Sequence, residues 1–142
     1  MSDYIIFTIG QAHYALDVCH IERIDHIPAL TPIPNEHAFV DGMMMYQEQT
    51  LKVINFRKMT NTRGEEPSSA SQKLLIYRDE KGLFAIKVDT IKDITAFDES
   101  SIKPYAHTVA VGECVLTRGV VEYNKALVVV IDTVELPSDV AA

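Results

Sequence analysis

Tyr14-Ala15-Leu16-Asp17-Val18-Cys19-His20-Ile21-Glu22-Arg23-Ile24 returns later in the chain as Phe84-Ala85-Ile86-Lys87-Val88-Asp89-Thr90-Ile91-Lys92-Asp93-Ile94. Ala15, Val18, Ile21 and Ile24 find Ala85, Val88, Ile91 and Ile94. A short apolar run precedes each copy, Ile5-Ile6-Phe7 in one and Leu74-Leu75-Ile76 in the other, which the alignment matches with one extra residue in the second turn. Tyr14, Leu16 and Val18 fall on one face at a period of two, which is the spacing of a strand. Gly10-Gln11 opens a turn between the runs, so each copy reads as a β-hairpin.

A second match lies downstream. Val40-Asp41-Gly42-Met43-Met44-Met45-Tyr46-Gln47 and Leu51-Lys52-Val53-Ile54-Asn55 align without a gap to Thr117-Arg118-Gly119-Val120-Val121-Glu122-Tyr123-Asn124 and Val128-Val129-Val130-Ile131-Asp132. Gly42, Tyr46, Val53 and Ile54 recur as Gly119, Tyr123, Val130 and Ile131. Two matched hairpin pairs in the same order predict an all-β, pseudo-duplicated chain of two five-stranded barrels packed side by side. The expected boundaries are 12–60 for the first barrel and 72–136 for the second, with strand 4–10 able to join either. A glycine repeated inside a strand pattern predicts a close backbone approach or a bend at that point.

Two connections punctuate this pattern. Ile27-Pro28-Ala29-Leu30-Thr31-Pro32-Ile33-Pro34 lacks backbone donors at its prolines and reads either as an exposed docking edge or as a loop packed over a barrel end. Thr60 to Ser71 is polar, with almost nothing to bury, and predicts a flexible connector over 60–71.

With 142 residues and 47% hydrophobic content, the chain is long enough to fold as one domain, 1–142, without disulfides or metals. Twenty acidic residues against 13 basic ones give a net charge of -7, which repels phosphate backbones and anionic membrane surfaces and favours a partner with a basic patch. Cys19 and Cys114 sit apart in apolar segments and read as buried thiols. The start, Met1-Ser2-Asp3-Tyr4-Ile5-Ile6-Phe7, lacks the basic and long apolar parts of a secretory signal, and no apolar run reaches ~18 residues. A cytoplasmic protein without membrane insertion is expected.

No motif recommends an enzyme. His13, His20, His26, His37 and His107 show no metal-ligand spacing, and Glu65-Glu66 and Asp98-Glu99 read as solvated carboxylates rather than an acid and base pair. Phosphate loops, Gly-x-Gly-x-x-Gly turns and Gly-x-Ser-x-Gly elbows are absent from the sequence. No catalytic, metal-binding or cofactor-binding residue is therefore assigned. Met43-Met44-Met45 has two readings: a strand whose alternation makes it mostly core, or an adaptable surface of unbranched thioethers.

The order of these elements resembles the CheW-like domain of chemotaxis coupling proteins and of the regulatory region of chemotaxis histidine kinases. The resemblance runs through Phe7 to Ile24, Leu30-Thr31-Pro32-Ile33-Pro34, Phe39-Val40-Asp41-Gly42 and Leu51-Lys52-Val53-Ile54-Asn55-Phe56-Arg57. It implies two intertwined SH3-like five-stranded barrels and a non-enzymatic adaptor linking receptor cytoplasmic tips to a CheA-type histidine kinase. It further implies partner contacts at Ile21, Arg23, Ile33, Phe39, Gly42, Tyr46, Gln47 and Glu48.

The polar family positions differ. An acidic family position falls on Arg23, unless a one-residue shift restores Glu22; an arginine falls on Gln47 and a glycine on Glu48. A later proline and aspartate become Lys52 and Asn55. A cation and a neutral amide cannot form the bidentate contact of a carboxylate and a guanidinium, so a changed partner surface is expected. Two rival readings follow: a scaffold of a different signalling array without normal receptor coupling, or a small-molecule-binding β-barrel protein using Tyr46, Tyr123 and His107 between the barrels.

Overall fold

All residues from Tyr4 to Ile9 are buried, so the first strand has no solvent face. Alternation divides it between two cores: Tyr4 and Ile6 point into one apolar cluster, while Ile5, Phe7 and Ile9 point into another. That division organises the whole molecule. The structure is a computed structural model that describes residues 2–34, 36–104, 114–137 and 140.

In chain order the strands are β1 (Ser2–Ile9), β2 (Ala12–Asp17), β3 (Ile21–Asp25), β4 (Val40–Tyr46), β5 (Gln49–Asn55), β6 (Lys73–Asp79), β7 (Gly82–Val88), β8 (Thr90–Phe97), β9 (Val115–Tyr123) and β10 (Ala126–Val134). A single helical turn, α1 (Phe56–Met59), follows β5. They form two five-stranded sheets, β8-β1-β2-β10-β9 and β3-β6-β7-β5-β4, in keeping with the all-β expectation of paired SH3-like barrels.

The sheets do not follow the sequence halves 12–60 and 72–136. Residues 2–17 pair with strands from 90–134, while the stretch 21–88 supplies the other sheet. The physical link is parallel pairing: β2 lies beside β10, with Ala15 opposite Val130, and β7 lies beside β5, with Ala85 opposite Val53. Each half therefore closes its sheet with a hairpin from the other half.

The register also revises the first alignment. Phe7 faces Tyr14 and Tyr77 faces Phe84, so Ile5-Ile6-Phe7 corresponds to Leu75-Ile76-Tyr77 and no extra turn residue is needed. With this frame the two barrel interiors match. Ile6, Ala15, Val121, Tyr123, Val128 and Val130 occupy one; Ile76, Ala85, Met44, Tyr46, Leu51 and Val53 occupy the other. The opposite faces of the same strands meet in a shared core, where Phe56 packs edge-on against Phe7 and Tyr14 at 5.3 and 5.0 Å.

The connector at 60–71 is pinned at several points. Thr62 N–H donates to the Arg57 carbonyl at 2.8 Å, Arg57 Nη1 donates to the Arg63 carbonyl at 3.0 Å, and the Glu66 carboxylate accepts from Asn55 Nδ2 and Lys87 Nζ. Its polar residues, which have little to bury, are tied down by charge instead. Arg57 also bridges the sheets, since its Nη2 and the Gly10 N–H at the β1–β2 turn both donate to Asp89 Oδ2, at 2.6 and 2.7 Å.

Candidate protein interaction surface

The hairpin β4–β5 is the frame of the site. Its two-residue turn, Gln47-Glu48, has both residues at positive φ, 47° and 67°, and Asn124-Lys125 repeats this at 49° and 68° in β9–β10. This is the twist that matches paired strands, though neither position here is glycine. Gly42 begins the hairpin at φ 151°, where β4 bulges, and Gly119 repeats it at 154° in β9.

Gly42 is buried and exposes no surface to a partner. Thr31 crosses it and exchanges backbone hydrogen bonds with Met43, N–H to carbonyl at 3.0 Å and 2.8 Å. Lys103 crosses Gly119 in the same way and pairs with Val120. The proline-rich connection is thus anchored over the barrel at Thr31.

The three methionines separate by alternation. Met44 turns inward against the barrel interior, while Met43 is half-buried and Met45 is 68% exposed. Met44, Met45, Tyr46 and Gln47 line a hollow of about 390 Å³ together with Arg23 and Ile27. Asp25, His26 and Pro28 complete its wall. Arg23, Tyr46 and Gln47 are therefore brought together, and Glu48 stands exposed beside them at the turn.

The remaining expected contact residues lie elsewhere. Ile21 is half-buried against the shared core, and Phe39 is inside it, 7% exposed, with His37 at 4.0 Å on its ring. Ile33 lines a separate, mostly apolar cleft of about 450 Å³ with Met43, Leu83, Phe84, Leu136 and Val140. Lys52 closes one side of that cleft, bonded to Glu36 at 2.9 Å and to the Val140 carbonyl at 2.7 Å.

Electrostatics set the polarity of the hollow. Glu22 sits at a β-bulge between Ile21 and Arg23 and accepts from Arg78 Nε at 2.7 Å and from the Tyr46 hydroxyl at 2.7 Å. Those bonds hold its carboxyl below the usual range, Arg78 first and Tyr46 second, and the Glu22 carboxylate raises the Tyr46 hydroxyl in turn. Arg23, by contrast, reaches only Asp25 among the described residues, at 3.2 Å, and its side chain is 57% exposed. The residue at the bulge is thus the acidic one, already engaged, and the residue facing the hollow is the cation.

Sequence reasoning missed Asp25 and His26 as lining residues, and left the run holding Met44 and Met45 between a core and a surface reading. The available signal was positional: Met45 lies on the outward phase of β4, and Ile27-Pro28 opens the connection already marked as a docking edge. Tyr46 and Tyr123 are not brought together. They lie in separate barrel interiors with hydroxyls bonded to Glu22 and Asp93, on either side of a shared core that opens at one edge as the cleft lined by Met43, Phe84 and Val134. The small-molecule reading loses its constellation; His107 lies outside the described residues. Among the described residues no group of His, Cys, Asp and Glu could hold a metal ion, and no helix is long and apolar enough to cross a membrane.

Comparison with known proteins agrees with this geometry. The family model for the CheW-like domain matches residues 3–141. The chemotaxis protein CheW of Treponema pallidum is 22% identical over 131 residues, covering 90% of this chain and 77% of that protein. That of Rhizobium meliloti is 18% identical over 130 residues, covering 92% and 83%. The crystal structure of the scaffolding protein TtCheW from Thermoanaerobacter tengcongensis superposes with a TM-score of 0.83 at 18% identity, covering 92% of this chain and 88% of that one. The chain belongs to the CheW-like domain family and is a non-enzymatic scaffold of the chemotaxis class.

Proposed function

We propose that the protein is a cytoplasmic coupling protein that joins a CheA-type histidine kinase, through the kinase's regulatory domain, to the helical tip of a chemoreceptor. The observation that carries this reading is the hollow at the β4–β5 hairpin, which sets the exposed side chain of Met45 beside Arg23 of β3 and Gln47 of the turn. Such a surface combines an adaptable apolar anchor with polar residues that choose the partner. Duplication supplies a second hairpin, β9–β10, with Leu127 68% exposed, so one molecule can hold two partners at once.

Met45→Asp tests the reading. Met45 is exposed, so the variant keeps the wild-type melting temperature, whereas capture of a purified CheA-type regulatory domain or receptor-tip fragment falls at least about ten-fold. Equal capture by wild type and variant removes this hairpin from the interface, and capture of neither partner by wild type sinks the coupling role. Glu22 is engaged by Tyr46 and Arg78 while Arg23 faces the hollow, which favours one second reading: a scaffold for a different array, recognised by kinase capture without receptor capture.

A further inference from the structure

We infer that the hollow beside Arg23 takes an acidic, apolar segment of a protein partner: a carboxylate closes on the free end of the guanidinium while a neighbouring apolar side chain packs on Met45, Met44 and Ile27. The inference rests on the scaffold reading and names the chemistry of the partner at that surface.

The Arg23 fork is only partly used. Asp25 engages Nε at 3.2 Å, and the two terminal amino groups have no partner among the described residues. A planar guanidinium with those groups free presents parallel donors that match both oxygens of a carboxylate. The adjacent anion, Glu22, does not compete, because Arg78 and Tyr46 hold both its oxygens. Asp25 is the internal competitor. Its ion pair with Arg23 is exposed, with side-chain exposures of 57% and 36%, and such pairs exchange readily for a better acceptor.

The apolar half of the site is equally open. Met45 is 68% exposed although it stands in a strand, and Met44 and Ile27 form the base beneath the hollow. A segment carrying a carboxylate alone leaves this surface wet, and an apolar segment alone leaves the cation unanswered. A chain of net charge -7 repels acidic peptides at large, so acceptance of one here is a property of the hollow.

The test is a titration of ¹⁵N-labelled protein with two synthetic helical peptides, alike except that Leu is followed one turn later by Glu in one and by Lys in the other. The Glu peptide is expected to move the amides of Arg23, Ile27, Met44, Met45 and Gln47, with the Lys peptide binding more weakly. Arg23→Glu reverses the preference and weakens the Glu peptide about ten-fold or more. Asp25→Asn removes the competitor and tightens it about two- to five-fold. Arg23 is exposed, and Asn at position 25 can still accept the His26 N–H that half-exposed Asp25 accepts, so unchanged melting temperatures are required of both variants. Equal or tighter binding of the Lys peptide to wild type, shifts mapping away from the hollow, or an Arg23→Glu variant that behaves as wild type overturns the inference. Kinase regulatory-domain capture on the same proteins separates the two failures. If the coupling role alone fails, the Glu peptide still binds but no kinase is captured; if the inference alone fails, wild type captures the kinase but shows no preference for the Glu peptide.

Discussion

The carbonyl oxygen of Thr31 lies 2.8 Å from the point where a Cβ on Gly42 would stand. Glycine at this position is what lets the proline-rich connection cross β4 and exchange two backbone hydrogen bonds with Met43. The Lys103 carbonyl stands over Gly119 even more closely, and both glycines hold a φ that L side chains rarely adopt. Gly42→Ala and Gly119→Ala are each expected to cost at least about 2 kcal/mol, Gly119→Ala the more, because crowding and strain add. Urea midpoints at constant slope measure this. A midpoint shift of zero at either glycine refutes the crossing as the reason for the repeat.

Glu48 is in the left-handed region at φ 67° as the second residue of a tight hairpin turn. Glycine takes that conformation without the steric cost of a side chain. Glu48→Gly is expected to stabilise the protein by roughly 0.5–1 kcal/mol, visible as a raised melting temperature. A lowered one shows that Glu48 makes contacts worth more than the strain.

Asn55, where the family resemblance implies an aspartate, is a buried amide set between two carboxylates. The amide is 1% exposed; Oδ1 caps α1 by accepting from Lys58 N–H, while Nδ2 donates to Asp41 at 3.1 Å and to Glu66 at 2.5 Å. An aspartate could still cap but would set a third carboxylate against two others. Asn55→Asp is expected to cost about 3 kcal/mol or more at neutral pH in denaturant unfolding, where Asn55→Ala, which adds no charge, costs less. The reverse order would place the value of Asn55 in its cap.

Asp41 connects this cluster to pH. Burial alone would raise its carboxyl, but Lys87 and Lys58 outweigh that and bring it below the usual range. A carboxyl depressed in the folded state contributes stability that is complete above its unfolded value, about 3.9, and is lost as pH falls through the folded value. Stability is therefore expected to drop below about pH 4. Asp41→Asn, less stable at neutral pH, should show a shallower acid limb in thermal unfolding. Parallel limbs for wild type and variant would assign the acid sensitivity to other carboxylates.

The duplication, the all-β class and the glycine crossings were legible in the amino-acid order because they are local: period-two alternation and repeated residues at equal spacing. The same local reading slipped by one residue at Leu74-Leu75-Ile76, since strands buried on both faces have no polar phase to set the register. It also divided the chain at 60–71, where composition changes, although β2 pairs with β10 and β5 with β7 across that divide. Parallel partners far apart in sequence leave no mark on either segment alone. Arg23 and Gln47 were identifiable as residues of changed chemistry, but the bulge decides that Glu22 is consumed by Tyr46 and Arg78 while the terminal amino groups of Arg23 stay unpaired among the described residues. The sequence by itself determined the repeated strands and the cores they need; the tertiary structure alone decided which charges are spent inside the fold and which remain to meet a partner, because that depends on distances between residues the chain order does not relate.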